Sequence, residues 1–164
     1  PEWYFSFGGK IAWKGFDLEV LFQGAAGMSV NILDNKNQVV AFVNNGNAYD
    51  IAKGAWAYYP EQGIDTRATA TYPRLTTQSN ENNYQTSSMW VKNADYLKLR
   101  NLELGYNFNA MKLQRAGVDN LRVYLSAHNL LTFSGLLKHY NMDPEKISGY
   151  PTIKSYNVGV SITF

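Results

Sequence analysis

Hydrophobic and polar side chains alternate one by one along five segments of the chain, which is typical of β-strands with one apolar face. The strands are predicted at about residues 3–14, 16–23, 96–108, 120–130 and 155–164. The first two strands are separated by Lys14-Gly15, a tight-turn pair, and are therefore expected to form a hairpin. Along the third strand the apolar positions change parity, and a β-bulge near Arg100-Asn101 would explain that change.

The segments between these strands show no alternation and are rich in Asn, Gly, Ser and Thr. Residues 24–95 and 131–154 are predicted to form long loops, and residues 109–119 a shorter connection. Within the first loop we expect one short helix at about residues 48–58, which Pro60 would end. A loop of this length is unusual in a compact domain and usually has a function of its own.

The apolar faces of the five strands contain no charged residue, and two architectures fit such a pattern. One is a soluble antiparallel β-sandwich with a dry inner face. The other is a transmembrane β-barrel, whose apolar face meets lipid and whose polar face lines a lumen. Two details favour the barrel. The polar faces hold few charges, and Trp3 and Trp13 share a face about 25 Å apart along the membrane normal, the separation of the two aromatic girdles of an outer-membrane barrel.

Composition and charge exclude several classes of function. The chain has 164 residues, with 15 basic and 13 acidic side chains and a net charge of +2, which argues against a nucleic-acid partner. It has no Cys, so disulfide frameworks, thiolate zinc sites and cysteine nucleophiles are excluded. No purely apolar run exceeds five residues, which excludes a transmembrane helix but leaves a barrel open. The chain begins with neither Met nor a signal peptide and is expected to be a piece of a longer protein.

Several segments resemble one protein family. The segment WVKNADYLKLRNLELGY at residues 90–106 is similar to the "dgSYlrLknltLgY" segment of SusC/RagA-like TonB-dependent outer-membrane transporters. The segment LRVYLSAHNLLTF at residues 121–133 resembles their "lRvYvsgqNLfTfT". Shorter matches, in the family's order, are GFD at 15–17, FQG at 22–24, YPRL at 72–75, DPE at 143–145 and GYP at 149–151. His128 stands where Gly or Gln is common, and residues 29–58 carry little that matches.

The resemblance implies an all-β fold, namely a segment of an antiparallel transmembrane β-barrel with long extracellular loops. The five strands would be the last five of a barrel of about 22 strands. It also implies a plug domain and a segment that contacts TonB, both absent from this chain. Family members usually pair with a SusD-like surface lipoprotein in the outer membrane of Gram-negative bacteria. They import oligosaccharides in most cases and peptides in some. The alternatives are therefore a peptide importer of the same family and a soluble β-sandwich that binds carbohydrate.

Six aromatic residues of the first loop are candidates for substrate binding, because an aromatic ring can stack on the apolar face of a sugar. They are Trp56, Tyr58, Tyr59, Tyr72, Tyr84 and Trp90. Packing among the loops is the alternative explanation for each of them.

Two pairs of carboxylates have spacings that acid–base chemistry could use, but both pairs have simpler interpretations. Asp17 and Glu19 share a strand face, where pairing with Lys or Arg in the lumen is expected. Asp143 and Glu145 flank a Pro, which is typical of a turn. The two histidines lack a partner at metal-ligand spacing. We therefore predict no catalytic residue, no metal site and no cofactor, and no enzyme activity.

The last predicted strand resembles the assembly signal with which outer-membrane barrels characteristically end, an aromatic residue preceded by alternating apolar positions. The residues in question are Tyr156, Val158, Val160, Ile162 and Phe164. The barrel-assembly machinery could recognise such a strand by adding it to a sheet edge, with backbone bonds giving affinity and alternate side chains giving specificity.

Overall fold

The computed structural model describes residues 1–108 and 117–164, and the chain forms two compact units. The first unit contains residues 1–28, 95–135 and 152–164, and the second contains residues 29–94 and 136–151. Most of the predicted connection over residues 109–119 lies outside the described residues.

The first unit is a single antiparallel sheet of five long strands. Its strands are β1 (Trp3–Trp13), β2 (Phe16–Ala26), β7 (Tyr96–Asn107), β8 (Asn120–Ser134) and β9 (Ser155–Thr163), numbered by their place in the whole chain. They are arranged in the order β1-β2-β7-β8-β9, so each strand pairs with the neighbour expected for an up-and-down meander. The alternation along the sequence therefore predicts this sheet correctly, except that β2 and β8 extend three and four residues further than expected.

The β1–β2 hairpin closes through a two-residue turn. Lys14 and Gly15 both have positive φ, at 48° and 92°, which is the conformation that matches the twist of the flanking strands. The carbonyl of Gly15 accepts a hydrogen bond of 2.7 Å from the backbone N–H of Asn107 on β7. A Cβ at position 15 would come 2.9 Å from the Asn107 carbonyl oxygen, so Gly is required there by space as well as by φ.

The parity change in β7 is a bulge, as predicted. The pairing of β7 with β8 shifts between Leu99 and Asn101, and the pairing with β2 shifts between Leu21 and Phe22. Relative to β2, Arg100 is the additional residue of β7. Relative to β8, the additional residue is on β8, where Asn129 and Leu130 lie opposite Arg100. Without this bulge, the apolar residues at the start and end of β7 would point to opposite faces of the sheet.

The second unit consists of short elements joined by turns. Two ribbons are present, one of β3 (Ser29–Asn31) with β6 (Val91–Asn93) and one of β4 (Tyr58–Tyr59) with β5 (Ile64–Asp65). The helical elements are α1 (Lys36–Val39), most of α2 (Gly135–Tyr140) and 3-10 turns at Ile32–Asn35, Val43–Asn45, Asp50–Gly54 and Pro60–Gln62. No helix in the described part of the chain is long and apolar enough to cross a membrane.

The helix expected at about residues 48–58 is wrong. Only Asp50–Gly54 form a 3-10 turn, after which the chain becomes extended. The backbone N–H of Trp56 donates to the carbonyl of Tyr72 at 2.9 Å, and that of Ala57 donates to Oγ1 of Thr66 at 2.7 Å. These partners come from distant positions and replace the bonds a helix would make.

Candidate functional site

The sheet of the first unit has one continuous apolar face. The pairing of the five strands places its residues in rows, each running from β1 to β9 through direct cross-strand neighbours. Three complete rows are Trp13–Phe16–Tyr106–Val123–Val160, Ile11–Leu18–Leu104–Leu125–Val158 and Gly9–Val20–Leu102–Ala127–Tyr156. Fourteen of these fifteen positions carry a hydrophobic or aromatic side chain, and the remaining one is Gly9.

Most of this apolar face is open to its surroundings. Ile11 is 70% exposed, Leu125 52% and Val158 76%, although all three lie mid-strand on the same row. A contiguous exposed patch of this kind is uncommon on soluble proteins and marks a surface that meets a partner or lipid. In a β-sandwich a second sheet would cover this face. Among residues 1–108 and 117–164 the other two sheets are two-stranded ribbons of two and three residues.

Aromatic residues lie at both ends of β1 on this face. Trp3 and Trp13 are 69% and 67% exposed, and Phe16 of β2 lies directly opposite Trp13. Phe16 packs against Tyr106 with ring centroids 4.6 Å apart, so the aromatic group at the turn end continues across three strands. Large amphipathic rings at the ends of apolar strands are typical of the interfacial girdles of membrane barrels.

The opposite face of the sheet is polar and carries an ion-pair network around Arg122. The guanidinium of Arg122 forms a short ion pair with Asp17 through Nη2, and Nη2 also lies 2.7 Å from Oε1 of Glu103. Asn107 donates from Nδ2 to Oδ2 of Asp17 at 2.8 Å. Because Asp17 is only 5% exposed, these partners satisfy a carboxylate that has little access to water.

Two glycines make room for this network. Arg122 and Asp17 lie on strands that flank β7, and the Arg122 side chain crosses β7 at Gly105. A Cβ on Gly105 would come 2.5 Å from Nη2 of Arg122. In the same way a Cβ on Gly159 would overlap the ring of Tyr124, over which the Arg122 guanidinium lies at 4.9 Å. Gly105 and Gly159 are therefore places where a neighbouring side chain crosses the strand.

The carboxylates on this face act as ion-pair partners. Besides the Asp17 pair with Arg122, Glu19 lies 3.8 Å from Lys10 on the neighbouring strand. This agrees with the predicted pairing of both carboxylates with basic residues. Sequence reasoning did not single out Arg122, because its parity placed it on the polar face but only the strand register brings it to Asp17.

Near the bulge a second basic residue is held by neutral partners. Nε of Arg100 donates to Oε1 of Gln23 at 2.7 Å, and Nη1 donates to Oδ1 of Asn129 at 2.9 Å. Asn129 has a positive φ of 52°, a conformation that Asn tolerates better than most residues. The bulge thus places an Arg between two amide side chains from the strands on either side.

Three of the six candidate loop aromatics pack against one another inside the second unit. Tyr72 and Trp90 are each 1% exposed, and their rings meet edge to face at 5.7 Å. Tyr84 stacks on Trp90 at the same centroid distance. Burial of the Tyr84 hydroxyl raises its pKa above the usual value, and the neighbouring hydroxyl of Tyr72 adds to the shift. Packing among the loops, the alternative interpretation, describes these three rings.

Hydrogen bonds fix two of these residues, Tyr72 and Trp90. The hydroxyl of Tyr72 donates to the carbonyl of Val39 at 2.7 Å and accepts from the backbone N–H of Ala41 at 3.0 Å. Nε1 of Trp90 donates to the carbonyl of Asn83 at 2.8 Å. The polar atoms of Tyr72 and Trp90 are therefore used inside the protein.

The other three candidates are exposed and lie together near the β4–β5 ribbon. Trp56 is 38% exposed, Tyr58 43% and Tyr59 46%. The guanidinium of Arg67 lies 3.7 Å from the centre of the Tyr58 ring. Arg67 also makes two hydrogen bonds to Asp65, of 2.9 and 2.8 Å, which hold the pKa of Asp65 below its usual value. Sequence reasoning did not single out Arg67. Asp65 is only two residues away, but Tyr58 becomes its neighbour only through the pairing of β4 with β5.

The second carboxylate pair, Asp143 and Glu145, lies in a turn. Asp143 accepts a hydrogen bond from the backbone N–H of Glu145 at 3.0 Å, and its carbonyl accepts from that of Lys146, which is the expected turn. Among residues 1–108 and 117–164 no group of His, Asp and Glu side chains is arranged to hold a metal ion.

Comparisons with known proteins give consistent relatives, although no family model matches the sequence. TonB-dependent receptor P3 of Formosa agariphila is 24% identical over 181 aligned residues, which cover 100% of this chain and 16% of the receptor. TonB-dependent receptor P26 of the same organism is 26% identical over 180 residues, covering 100% of this chain and 17% of the receptor.

Solved structures lead to the same group. The structure of the RagAB peptide transporter matches with a TM-score of 0.70 and 26% identity, over 97% of this chain and 16% of that chain. The RagAB peptide importer in its open-open state matches with a TM-score of 0.67 and 27% identity, over 98% of this chain and 17% of that chain.

Both comparisons confirm the resemblance to SusC/RagA-like TonB-dependent transporters that the sequence motifs indicated. The relatives are receptors and transporters, which are not enzymes. The chain spans 16% to 17% of the length of these relatives, so it corresponds to a small part of such a protein.

Proposed function

We propose that this chain forms part of the wall and outer loops of a SusC/RagA-like, TonB-dependent importer in the outer membrane of a Gram-negative bacterium. The observation that carries the proposal is the alignment of apolar residues in rows across all five strands, with an ion-paired polar face opposite. A lipid-facing surface requires the first face, and a water-filled lumen or a plug suits the second. The full-length alignments with TonB-dependent receptors support it.

In this proposal the five long strands are the last five of a barrel of about 22 strands. Within the described residues, β1 and β9 each pair on one side only. Backbone groups cannot remain unpaired in hydrocarbon, so the outer edges of these strands would have to pair with further strands of the same barrel. A plug domain and a TonB-contacting segment would likewise belong to other parts of the protein.

The orientation follows from the lengths of the connections. Short turns of bacterial barrels face the periplasm and long loops face the outside. The Lys14-Gly15 turn and residues 109–119 would then be periplasmic, and residues 24–95 and 131–154 extracellular. Protease added to intact cells should cleave within the two long loops, and cleavage confined to residues 109–119 would reverse this orientation.

The proposed partners are a SusD-like lipoprotein above the outer loops, the TonB complex below, and the barrel-assembly machinery during insertion. The second unit is built almost entirely from the two long loops and is large enough to offer a lipoprotein lid a surface to contact. The assembly-signal residues Tyr156, Val158, Val160 and Ile162 line up on the apolar face of β9, an edge strand within the described residues, with Phe164 just beyond it. That arrangement is compatible with recognition by strand addition.

The first proposed substrate class is oligosaccharides, as in most transporters that the chain resembles. The second is peptides, and one observation favours it: the two solved structures described above are of a peptide transporter. Uptake of labelled oligosaccharides and of labelled peptides by cells with and without the intact protein would separate the two classes. If the deletion strain takes up both ligands as well as the wild type does, the proposal of an importer is contradicted.

A further inference from the structure

The exposed candidate aromatics border a groove in the second unit that has a distinct chemical character. The groove has a volume of about 460 Å³, and Trp56 and Met89 form its apolar wall. Tyr72, which is buried, and Asn82 also line it. A flat apolar wall beside polar groups is the arrangement with which proteins orient small ligands.

The charge of the groove has one sign. Arg67 and Arg74 are the only charged side chains that line it in the described part of the chain. Arg74 is exposed and makes no ion pair among residues 1–108 and 117–164. Arg67 is half-exposed and is already paired with Asp65. The groove therefore offers one free guanidinium and a second that is held in place.

Hydrogen bonds hold the backbone segments that carry Trp56 and Arg74 before any ligand arrives. Thr66 holds the segment that carries Trp56, because its Oγ1 accepts from the N–H of Ala57 at 2.7 Å and donates to the carbonyl of Ala55 at 2.8 Å. Trp56 is joined to the segment that carries Arg74 by the 2.9 Å bond from its N–H to the Tyr72 carbonyl. A site whose backbone segments are already fixed loses less entropy on binding.

We propose that this groove binds a carboxylate group, held by Arg74 and supported by Arg67, with the adjoining flat or apolar part of the ligand against Trp56. A guanidinium binds a planar carboxylate with two parallel hydrogen bonds, and an indole ring packs against a sugar face or an apolar side chain. The carboxylate could come from an acidic sugar or from the C-terminus of a peptide. The inference rests on the proposed function, since it specifies one chemical feature of the imported substrate.

The test measures binding to the intact transporter, purified in detergent, by calorimetry. Four ligands are compared: digalacturonic acid, its methyl ester, a tetrapeptide with a free C-terminus, and the same tetrapeptide as its C-terminal amide. We expect at least one acid to bind about tenfold or more tighter than its neutral counterpart, and the pair that shows the difference identifies the source of the carboxylate.

Variants then assign the effect to the groove. Arg74→Gln should weaken binding of that acid about tenfold to a hundredfold and leave its neutral counterpart unchanged. Arg74→Lys should recover part of the loss, because it keeps the charge but not the planar fork. Trp56→Ala should weaken the binding of both the acid and its neutral counterpart. The matched control is Lys53→Gln, which removes an exposed basic residue of the same unit that does not line the groove.

The outcomes distinguish this inference from the function on which it rests. Equal affinity for acids and neutral counterparts, or unchanged acid binding by Arg74→Gln, would overturn the inference while the protein still assembles in the outer membrane and imports. Recovery of the wild-type protein in the soluble fraction would contradict the importer instead, and acid-selective binding by that soluble protein would still support the groove.

Discussion

At the scale of single residues, Arg122 connects three strands of the polar face. Its guanidinium reaches Asp17 on one side and Glu103 on the strand between, and Gly105 leaves the space that it crosses. Removing one charge of this network leaves the opposite charges partly buried and unpaired. This lowers the free energy of unfolding by more than the ion pair itself contributes. The network is therefore expected to fix the pairing of β2, β7 and β8 near the turn end of the sheet.

Replacing Arg122 tests this role. Arg122→Gln should lower the free energy of unfolding by about 3 kcal/mol, because Asp17 keeps its charge with little access to water. The double variant Asp17→Asn/Arg122→Gln should recover part of that loss. Urea titration of the intact protein in detergent measures both. Ser161→Ala, which changes the exposed residue opposite Arg122, is the control, and a double variant less stable than Arg122→Gln would contradict the account.

The aromatic residues of the loops divide by burial into structural and available groups. Trp90→Ala should destabilise the second unit by about 3 to 5 kcal/mol, since it opens a cavity beside Tyr72 and Tyr84. Trp56→Ala should cost less than about 1 kcal/mol, because that ring is 38% exposed. Limited proteolysis within residues 29–94 measures the difference. Equal protease resistance of the two variants would show that burial does not separate these roles.

At the scale of elements, the sequence predicts the long strands but not the internal structure of the loops, and the difference has a physical reason. Each strand carries its own period-two signal, and the parity change near Arg100 is enough to predict the bulge. The second unit has no such period. Its core depends on single contacts between distant residues, such as the Tyr72 hydroxyl with the Val39 carbonyl. The predicted helix at 48–58 failed for the same reason, since Thr66 and Tyr72 take the backbone bonds of that segment.

The two faces of one strand should respond differently to charge. Val158→Arg, on the apolar face of β9, should cost about 2 to 4 kcal/mol, because the guanidinium would have to enter lipid near mid-strand. Asn157→Arg, one residue away on the polar face, should cost less than about 1 kcal/mol, because water or polar partners are available there. Urea titration followed by heat-modifiable electrophoresis measures the folded barrel. Equal costs at the two neighbouring positions would be incompatible with the assigned faces.

At the scale of the whole molecule, the account depends on what the apolar face of the sheet contacts. The strand register predicts which residues should contact lipid. Leu125 and Val158 are cross-strand neighbours on the apolar face, and Ser126 and Asn157 are cross-strand neighbours on the polar face. The sequence predicts the faces, but the alignment of rows across five strands needs the register, which the bulge changes midway.

Lipid contact can be measured directly at positions of this chain, which contains no cysteine, once any cysteine elsewhere in the intact protein has been replaced. Single cysteines at Leu125, Ser126, Asn157 and Val158 would carry a nitroxide spin label in the intact protein in bilayers. The collision rates of each label with oxygen, which concentrates in lipid, and with a water-soluble nickel chelate report its surroundings. The account predicts high oxygen and low nickel accessibility at 125 and 158, and lower oxygen accessibility at 126 and 157. Equal accessibility at neighbouring positions, or nickel accessibility highest at 125 and 158, would contradict the proposal that this sheet is a membrane-spanning wall.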